Sequence, residues 1–217
     1  RLVSTCPGLD AVCTSAAALP PCVARMPLLG LPRIFRTSLG SIPRQVPYLS
    51  ADNAAADLWR SRLGRRDGGL HVGLAWSGRP KIQENRTNTA EVFRPLAAVQ
   101  GVTFHSLQKL PQGRPLECLG TAPLIDRTSE LTDFADAAAL VAALDLVITI
   151  DTAIAHLAGA LARPVWVLIP FVPDFRWLLD REDSPWYPTM RLFRQERLGS
   201  WDEPVERMRQ ELAKLAG

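Results

Sequence analysis

The sequence predicts an α/β protein whose parallel sheet is covered by helices on both faces. Short apolar segments, rich in β-branched residues and typical of buried strands, lie at 70–78, 146–150 and 165–170. Segments with apolar residues at helical spacing lie between them, and an alternation of strands and helices is typical of a parallel sheet. The composition, with 47% hydrophobic and 22% charged residues, is that of a globular protein. We therefore expect a Rossmann-like core.

The chain is predicted to divide at the segment GRRDGG, residues 64–69. Frequent Pro and Gly residues in 1–50 predict long loops and short elements that pack on another part of the protein, and a helix is expected at 51–63. Residues 1–69 are therefore interpreted as the remnant of an N-terminal domain with its linker, and 70–217 as a C-terminal domain. Because the opening residues resemble the middle of a domain, we expect a fragment of a longer protein.

Strands and helices alternate regularly after residue 70. Acidic residues in the first turn support the helix at 133–145, since the helix dipole favours negative charge there. An amphipathic pattern predicts a final helix. The expected order is strand 70–78, helix 89–99, strand 102–109, strand 123–126, helix 133–145, strand 146–150, a helix from Ala153 to about Leu161, strand 165–170 and helix 201–217.

The stretch ITIDTAIAHLAGALARPVWVLIP, Ile148–Pro170, is apolar enough to suggest a membrane span. Asp151 and His156 interrupt it, and Arg163-Pro164 would end a spanning helix, so a buried strand–helix–strand unit fits better. The net charge of +3 comes without a dense basic block, which argues against nucleic-acid binding. Contact with a membrane surface stays open.

The four cysteines form no C-x-x-C pair and have no histidine at zinc-ligand spacing. They predict free thiols in a reducing, cytoplasmic compartment, and no metal site. A disulfide within the first 22 residues stays open as an alternative.

Ligands of parallel sheets bind where strands end and helices begin. Asp151-Thr152-Ala153 forms such a strand-to-helix turn, and the free N–H groups of a helix N-terminus suit a phosphate. The alternative is that Asp151 or Thr152 only caps the helix. Two further strand ends carry small, polar or basic residues, and their convergence on one edge favours a ligand with phosphate groups. These residues are Ser77, Gly78, Lys81, Arg86, Gln108 and Lys109.

Other polar residues leave alternatives open. His156 is interpreted either as a core histidine or as a residue facing the phosphate site, whereas His71 and His105 are interpreted as structural. The segment 173–195, dense in Trp, Arg and Asp, is expected to latch a loop through Arg–carboxylate pairs, with substrate contact as the alternative. Neither a G-x-x-x-x-G-K-[ST] nor a G-x-G-x-x-G motif occurs, which argues against a P-loop NTPase and a dinucleotide-binding dehydrogenase.

Four ordered motifs resemble the C-terminal half of bacterial glycosyltransferases of the lipopolysaccharide heptosyltransferase type, family nine, in the branch fused to tetratricopeptide repeats. They are VGLAWSGRPK, FHSLQK, LTDFADAAALVAALDLVITIDTAIAHLAGALARPVWVLIP and DFRWLLDREDSPWYPTMRLFRQ, and together they cover roughly residues 70–200. The resemblance implies a GT-B architecture, in which two Rossmann-like domains flank a cleft and the C-terminal domain binds the nucleotide-sugar donor.

The resemblance also implies roles for particular residues. Asp151, Thr152 and Ala153 would form the donor diphosphate and sugar loop, and Ser77, Gly78 and Lys81 a phosphate-contacting loop. Gln108 and Lys109 resemble a Gln/Lys pair of the related O-GlcNAc transferase type, and Asp133 and Phe134 fall near the expected ribose and base positions. The resemblance implies no metal and no cofactor apart from the nucleotide-sugar substrate.

The predicted function is transfer of a sugar from a nucleotide-diphosphate-sugar to an acceptor hydroxyl, the acceptor being a glycan or a protein. The general base of such enzymes is expected in the N-terminal domain, so we expect this chain to bind donor but to transfer sugar poorly alone. Two alternatives remain at this point: a non-catalytic nucleotide-sugar-binding module of a repeat protein, and a sugar-nucleotide 2-epimerase.

Overall fold

The computed structural model describes residues 1–15, 18–64, 69–78, 90–109, 119 and 122–217. Its centre is a parallel sheet of six strands in the order β3-β2-β1-β4-β5-β6. The strands are β1 Leu70–Ala75, β2 Val102–Ser106, β3 Leu124–Asp126, β4 Leu146–Ile150, β5 Val165–Ile169 and β6 Met190–Arg194. The chain winds outward from β1 in one direction and from β4 in the other. The crevice between the carboxyl ends of β1 and β4 is therefore the place where such a sheet binds ligands.

The described residues form five α-helices beside the sheet: α1 Leu31–Ile34, α2 Asn53–Leu63, α3 Phe134–Ala143, α4 Ala153–Ala160 and α5 Asp202–Ala216. The segment predicted as a helix at 89–99 is a 3-10 helix over Ala90–Ala98, with Pro95 inside it. Proline has no backbone N–H to donate, which disfavours a regular α-helix at this point.

Both faces of the sheet are buried, as predicted. Helices α2, α3 and α4 cover one face, where Trp59, Leu140 and Leu157 share a core cluster. Helix α5 and the 3-10 helix cover the other, where Phe93, Phe104 and Met208 pack together. Every residue of β4 and of β5 is buried, which explains why the sequence of each strand is continuously apolar instead of alternating.

The stretch Ile148–Pro170 is confirmed as a strand–helix–strand unit, since it contains β4, α4 and β5. No helix among the described residues combines the length and the apolar character that a membrane span requires.

The N-terminal part packs directly on the sheet domain. As predicted, the elements found in the described residues 1–15 and 18–50 are short, namely α1 and 3-10 turns at Leu2–Thr5, Leu28–Gly30 and Leu39–Ser41. The backbone N–H groups of Tyr48 and Leu49 both donate to the carbonyl of Ala160, which docks this segment on the end of α4. The domain boundary at residue 70 stays a prediction.

His105 and His71 form a buried pair inside the domain. Nδ1 of His71 lies 3.1 Å from Nε2 of His105, and His105 is 1% exposed. Burial, together with charge on His71 and Arg127, lowers the pKa of His105 to about 4. The neutral imidazole is therefore the form that the fold accommodates.

We expect this histidine to make the protein less stable in mild acid. The folded-state pKa lies below the unfolded value of about 6.5, so the contribution of His105 is complete above pH 6.5 and is lost as the pH falls toward 4. Urea denaturation should show a His105-dependent loss of about 2 kcal/mol between pH 7.5 and pH 5. His105→Gln should remove that part of the pH dependence, and an unchanged pH dependence in this variant would contradict the assignment.

Candidate functional site

A cavity of about 620 Å³ lies at the carboxyl ends of β1, β2 and β4, between the N-termini of α3 and α4. This is the switch point of the sheet, where the strand order predicts a ligand site. Most of the predicted site residues line it: Ser77, Gly78, Gln108, Lys109, Asp133, Phe134, Asp151, Thr152 and Ala153. Lys81 and Arg86 lie outside the described residues. The structure therefore brings the three predicted strand ends together at one place.

The turn between β4 and α4 forms one wall of the cavity. Thr152 is the N-cap residue of α4, but its side chain makes no capping hydrogen bond. Its hydroxyl instead lies 3.0 Å from the hydroxyl of Thr149, which donates to the carbonyl of Ile150. Ala153 is exposed and its methyl group leaves the backbone of the first turn accessible. The partial positive charge of this helix end is thus not offset by a Thr152 cap.

Gln108 organises the end of β1. Its side-chain oxygen accepts hydrogen bonds from the backbone N–H groups of Ser77, at 2.8 Å, and Trp76, at 3.2 Å. The amide of Gln108 therefore fixes the path of the chain where β1 ends, and its contribution to the cavity is to hold Ser77 and Gly78 in place.

Lys109 supplies a positive charge beside the cavity. Its ammonium group donates a hydrogen bond to the carbonyl of Leu131, at 3.1 Å, and so links the end of β2 to the turn before α3. No ion pair of Lys109 with a carboxylate is found in the described part of the chain. An ammonium group with one neutral partner retains two further donors for an anionic ligand.

Asp133 and Phe134, at the start of α3, also line the cavity. The carboxylate of Asp133 caps α3 by accepting from the N–H groups of Ala135 and Asp136, and it also pairs with Arg1 at 2.7 Å. The hydrogen bond from Arg1 lowers the pKa of Asp133, which stays ionised. Phe134 is 52% exposed, so an apolar ring face is open to a planar partner.

His156 lies one turn along α4 from Thr152 and is not among the residues that line the cavity. Its Nδ1 is 3.2 Å from the hydroxyl of Tyr187, and its ring stacks on Trp177 with centroids 5.3 Å apart. Burial lowers the pKa of His156, so the ring is neutral at pH 7. His156 is thus a half-buried residue that aromatic neighbours hold one turn away from the cavity-lining residues of α4.

The segment 173–195 contains two Arg–carboxylate pairs between residues two positions apart, so the predicted latch of a loop stays a prediction. Arg176 pairs with Asp174 at 2.7 Å, and Arg181 pairs with Asp183 at 2.6 Å. The sequence did not indicate that Arg194 also holds this segment, through the carbonyls of three residues.

Sequence reasoning missed several wall residues of the cavity, namely Leu131, Thr132 and Ile154. Leu131 and Thr132 directly precede the predicted helix start at Asp133, and that position was their one available signal. No group of three or more His, Cys, Asp or Glu residues in the described part of the chain is arranged to bind a metal ion.

A known protein family matches the part of the chain that contains two walls of the cavity. The model of glycosyltransferase family 9 (heptosyltransferase) matches residues 130–168, which contain α3, β4, α4 and β5. Two walls of the cavity therefore fall inside the matched region, whereas Ser77, Gln108 and Lys109 lie outside it. Protein FlbA of Caulobacter vibrioides is 31% identical over 182 residues, a match that covers 80% of this chain and 30% of FlbA.

Solved structures share the fold. ADP-heptose lipopolysaccharide heptosyltransferase II of Escherichia coli is 17% identical with a TM-score of 0.56, and the match covers 82% of this chain and 56% of that enzyme. A family 9 glycosyltransferase from Veillonella parvula is 16% identical with a TM-score of 0.50, covering 68% and 42%. The chain spans less than a third of FlbA and about half of these structures. The predicted α/β fold of the GT-B type is confirmed.

Proposed function

We propose that this chain is the donor-binding half of a glycosyltransferase that transfers a sugar from a nucleotide-diphosphate-sugar to an acceptor hydroxyl. The observation that carries the proposal is the composition of the cavity wall. The wall exposes the ring of Phe134, which suits a nucleobase, and it also contains Lys109 and the start of α4, where Thr152 makes no side-chain cap, which suit a diphosphate. The family 9 match over residues 130–168, and a structural neighbour named for ADP-heptose, support the same assignment.

In the proposed reaction the acceptor oxygen attacks C1 of the donor sugar from the face opposite the diphosphate. The bond between C1 and the diphosphate oxygen breaks, and the hydroxyl proton passes to a general base. Negative charge then develops on the leaving diphosphate, where the first-turn N–H groups of α4 and the ammonium of Lys109 are positioned to stabilise it. These groups supply positive charge without a metal ion. We assign the general base to the other domain of the GT-B pair.

Asp133 contributes indirectly in this proposal. Its carboxylate is already engaged by Arg1 and by the N-terminus of α3. A ribose hydroxyl would have to share these oxygens, so the role of Asp133 is to hold Phe134 and the start of α3 against the nucleoside. The cytoplasmic location and the fusion to tetratricopeptide repeats stay predictions.

Replacing Thr152 by Val tests the diphosphate position. We expect the affinity for a nucleoside diphosphate to fall about tenfold, since one polar contact to a charged group is worth roughly 1.5 kcal/mol. Calorimetric titration with ADP, UDP and GDP provides the measurement. Thr149→Val is the matched control, because it removes the same Thr149–Thr152 hydrogen bond without changing the cavity wall.

The control separates binding from stability. Thr152→Val should lose about 1 kcal/mol in urea denaturation through the shared hydrogen bond, and Thr149→Val about 2 kcal/mol, since it also loses the bond to the carbonyl of Ile150. Only Thr152→Val should lose nucleotide affinity. Equal affinities in the two variants would contradict the diphosphate assignment. Binding of none of the three nucleotides by the unchanged chain would refute the donor site altogether. With a donor sugar present, product analysis distinguishes transfer from epimerisation and from binding without turnover.

A further inference from the structure

Three aromatic side chains surround His156 and hold its ring in one orientation. Trp177 stacks on one face, with the two ring planes 17° apart. The hydroxyl of Tyr187 lies 3.2 Å from Nδ1, and the hydroxyl of Tyr48 lies 3.4 Å from that of Tyr187. Tyr187 is 8% exposed and Trp177 is fully buried. This chain of hydroxyls runs from the segment docked on the end of α4 to a residue near its start.

The helix itself is shaped for this arrangement. A Cβ atom at Gly159 would lie 2.4 Å from Cγ of Tyr187, well inside contact distance, so only glycine lets the tyrosine ring lie against α4 here. Glycine inside a helix is less favourable than alanine, because its backbone loses more conformational freedom on folding. Gly159 therefore weakens α4 but leaves the space that allows the Tyr187 hydroxyl to reach His156.

Helix geometry predicts where the other ring nitrogen lies. Side chains of a helix lean toward its N-terminus, and His156 follows Thr152 by four residues, so we expect its ring to lean toward the turn at Thr152 and Ala153, which lines the cavity. The charged groups that act on the ring are Asp151, at the end of β4, and Asp174 and Arg176, after β5. Since Nδ1 faces Tyr187, Nε2 lies on the opposite side of the imidazole.

We propose that Tyr48 and Tyr187 form a hydroxyl relay that fixes the tautomer of His156, so that Nε2–H donates a hydrogen bond to the outer phosphate of the bound nucleoside diphosphate. In this relay Tyr48 donates to Tyr187, and Tyr187 donates to Nδ1. Tyr187 and Tyr48 are positioning residues, and His156 is the residue that contacts the ligand. This inference rests on the proposed function, because it requires a diphosphate at the α4 turn.

If the hydrogen bonds of the relay ran in the opposite direction, His156 would adopt its other neutral tautomer. If Nδ1–H donated to Tyr187, the bare Nε2 would face the phosphate oxygens, and two acceptors would repel each other. Burial raises the pKa of Tyr187, so its hydroxyl keeps its proton at neutral pH and can act as a donor. The relay therefore holds the histidine in the form that an anionic ligand requires.

The tautomer can be measured directly, because the chain has only three histidines. In nitrogen-15 NMR spectra of the unchanged chain, His156 should show a protonated Nε2 and an unprotonated Nδ1. Tyr187→Phe removes the hydroxyl and keeps the ring, so packing against Gly159 is retained. In this variant the His156 signals should report a mixture of tautomers. The pKa of His156 should also rise, because a hydrogen bond to its neutral form is lost.

Nucleotide affinity supplies the second measurement, with whichever of ADP, UDP and GDP the unchanged chain binds most tightly. Tyr187→Phe should weaken binding roughly threefold to tenfold, and Tyr48→Phe should weaken it less. His156→Leu should weaken it about tenfold, and the double variant Tyr187→Phe with His156→Leu should bind no worse than His156→Leu alone. The relay would be overturned if the loss of affinity in the double variant equalled the product of the losses in the two single variants. An Nδ1–H tautomer of His156 in the unchanged chain would also overturn it. If the unchanged chain bound no nucleotide, the proposed function would fail and the phosphate contact with it. Normal binding that Tyr187→Phe leaves unaltered would overturn the relay alone.

Discussion

Replacing Ala153 by Glu should weaken the binding of a nucleoside diphosphate at least a hundredfold while leaving the fold as stable as before. Ala153 is the first residue of α4, is exposed and lines the cavity. A carboxylate in the first turn of a helix is favourable by about 0.3–1 kcal/mol, so folding should not suffer. The same carboxylate would take the place proposed for the diphosphate. Two like charges about 4 Å apart near a protein surface repel by roughly 4 kcal/mol, more than the 2.8 kcal/mol that a hundredfold loss requires.

Ala153→Gln is the matched control, because its side chain has the same size without the charge. We expect its affinity to stay within about threefold of the unchanged chain, a difference of less than 1 kcal/mol. Calorimetric titration gives the affinities, and urea denaturation gives the free energies of unfolding. A similar loss of affinity in both variants would mean that bulk alone blocks the cavity. Unchanged affinity in Ala153→Glu would place the diphosphate elsewhere.

The location of this turn could be predicted from the sequence because local patterns determine it. The segment LVITI is wholly apolar, since both faces of β4 are covered, and small residues with helical spacing follow it directly. Parallel pairing then places all carboxyl ends on one edge of the sheet, so the residues after β1, β2 and β4 had to meet. Neither step depends on knowledge of a distant contact.

The contacts that define the chemistry could not be predicted in the same way. The side-chain oxygen of Gln108 accepts hydrogen bonds from backbone N–H groups more than thirty positions earlier in the chain. The ammonium group of Lys109 donates to a carbonyl 22 positions later. His156 meets a tyrosine 31 positions away. Such contacts depend on how the packed elements lie against one another, which residue types and spacing along the chain do not specify.

Strand β6 was missed for a related reason. Its sequence, MRLFR, contains two arginines, and charged residues argue against a buried strand. Arg191 reaches outward to Glu211 of α5, at 2.7 Å, and stays partly exposed. Arg194 is partly buried, and its guanidinium group donates hydrogen bonds to three backbone carbonyls near the end of the strand. The arginines are thus compatible with a strand at the edge of the sheet, where side chains can leave the core.

Arg194→Met should be among the most destabilising substitutions outside the apolar core. The guanidinium group donates to the carbonyls of Arg181, at 2.6 Å, Leu178, at 3.0 Å, and Trp177. Leu178, held by one of these bonds, has a φ of 53°, a conformation that costs a residue other than glycine about 1–3 kcal/mol. Methionine keeps the length and apolar stem but leaves three carbonyls without their charged donor. We expect a loss of about 3 kcal/mol in urea denaturation.

Arg191→Met is the matched control, since it removes an arginine of the same strand whose partners, Glu211 at 2.7 Å and Glu182 at 3.6 Å, are part-exposed carboxylates. Each ion pair of this kind contributes at most about 1 kcal/mol. Cleavage by trypsin after Arg176 and Arg181 gives a local measurement, because these bonds become accessible when the segment is released from β6. Arg194→Met should be cut much faster than Arg191→Met. Equal stability and equal cleavage of the two variants would show that the paired side chains of the segment hold it without Arg194. Since Trp177 belongs to this segment and stacks on His156, its release should also free the histidine ring, and nucleotide affinity should fall together with resistance to trypsin.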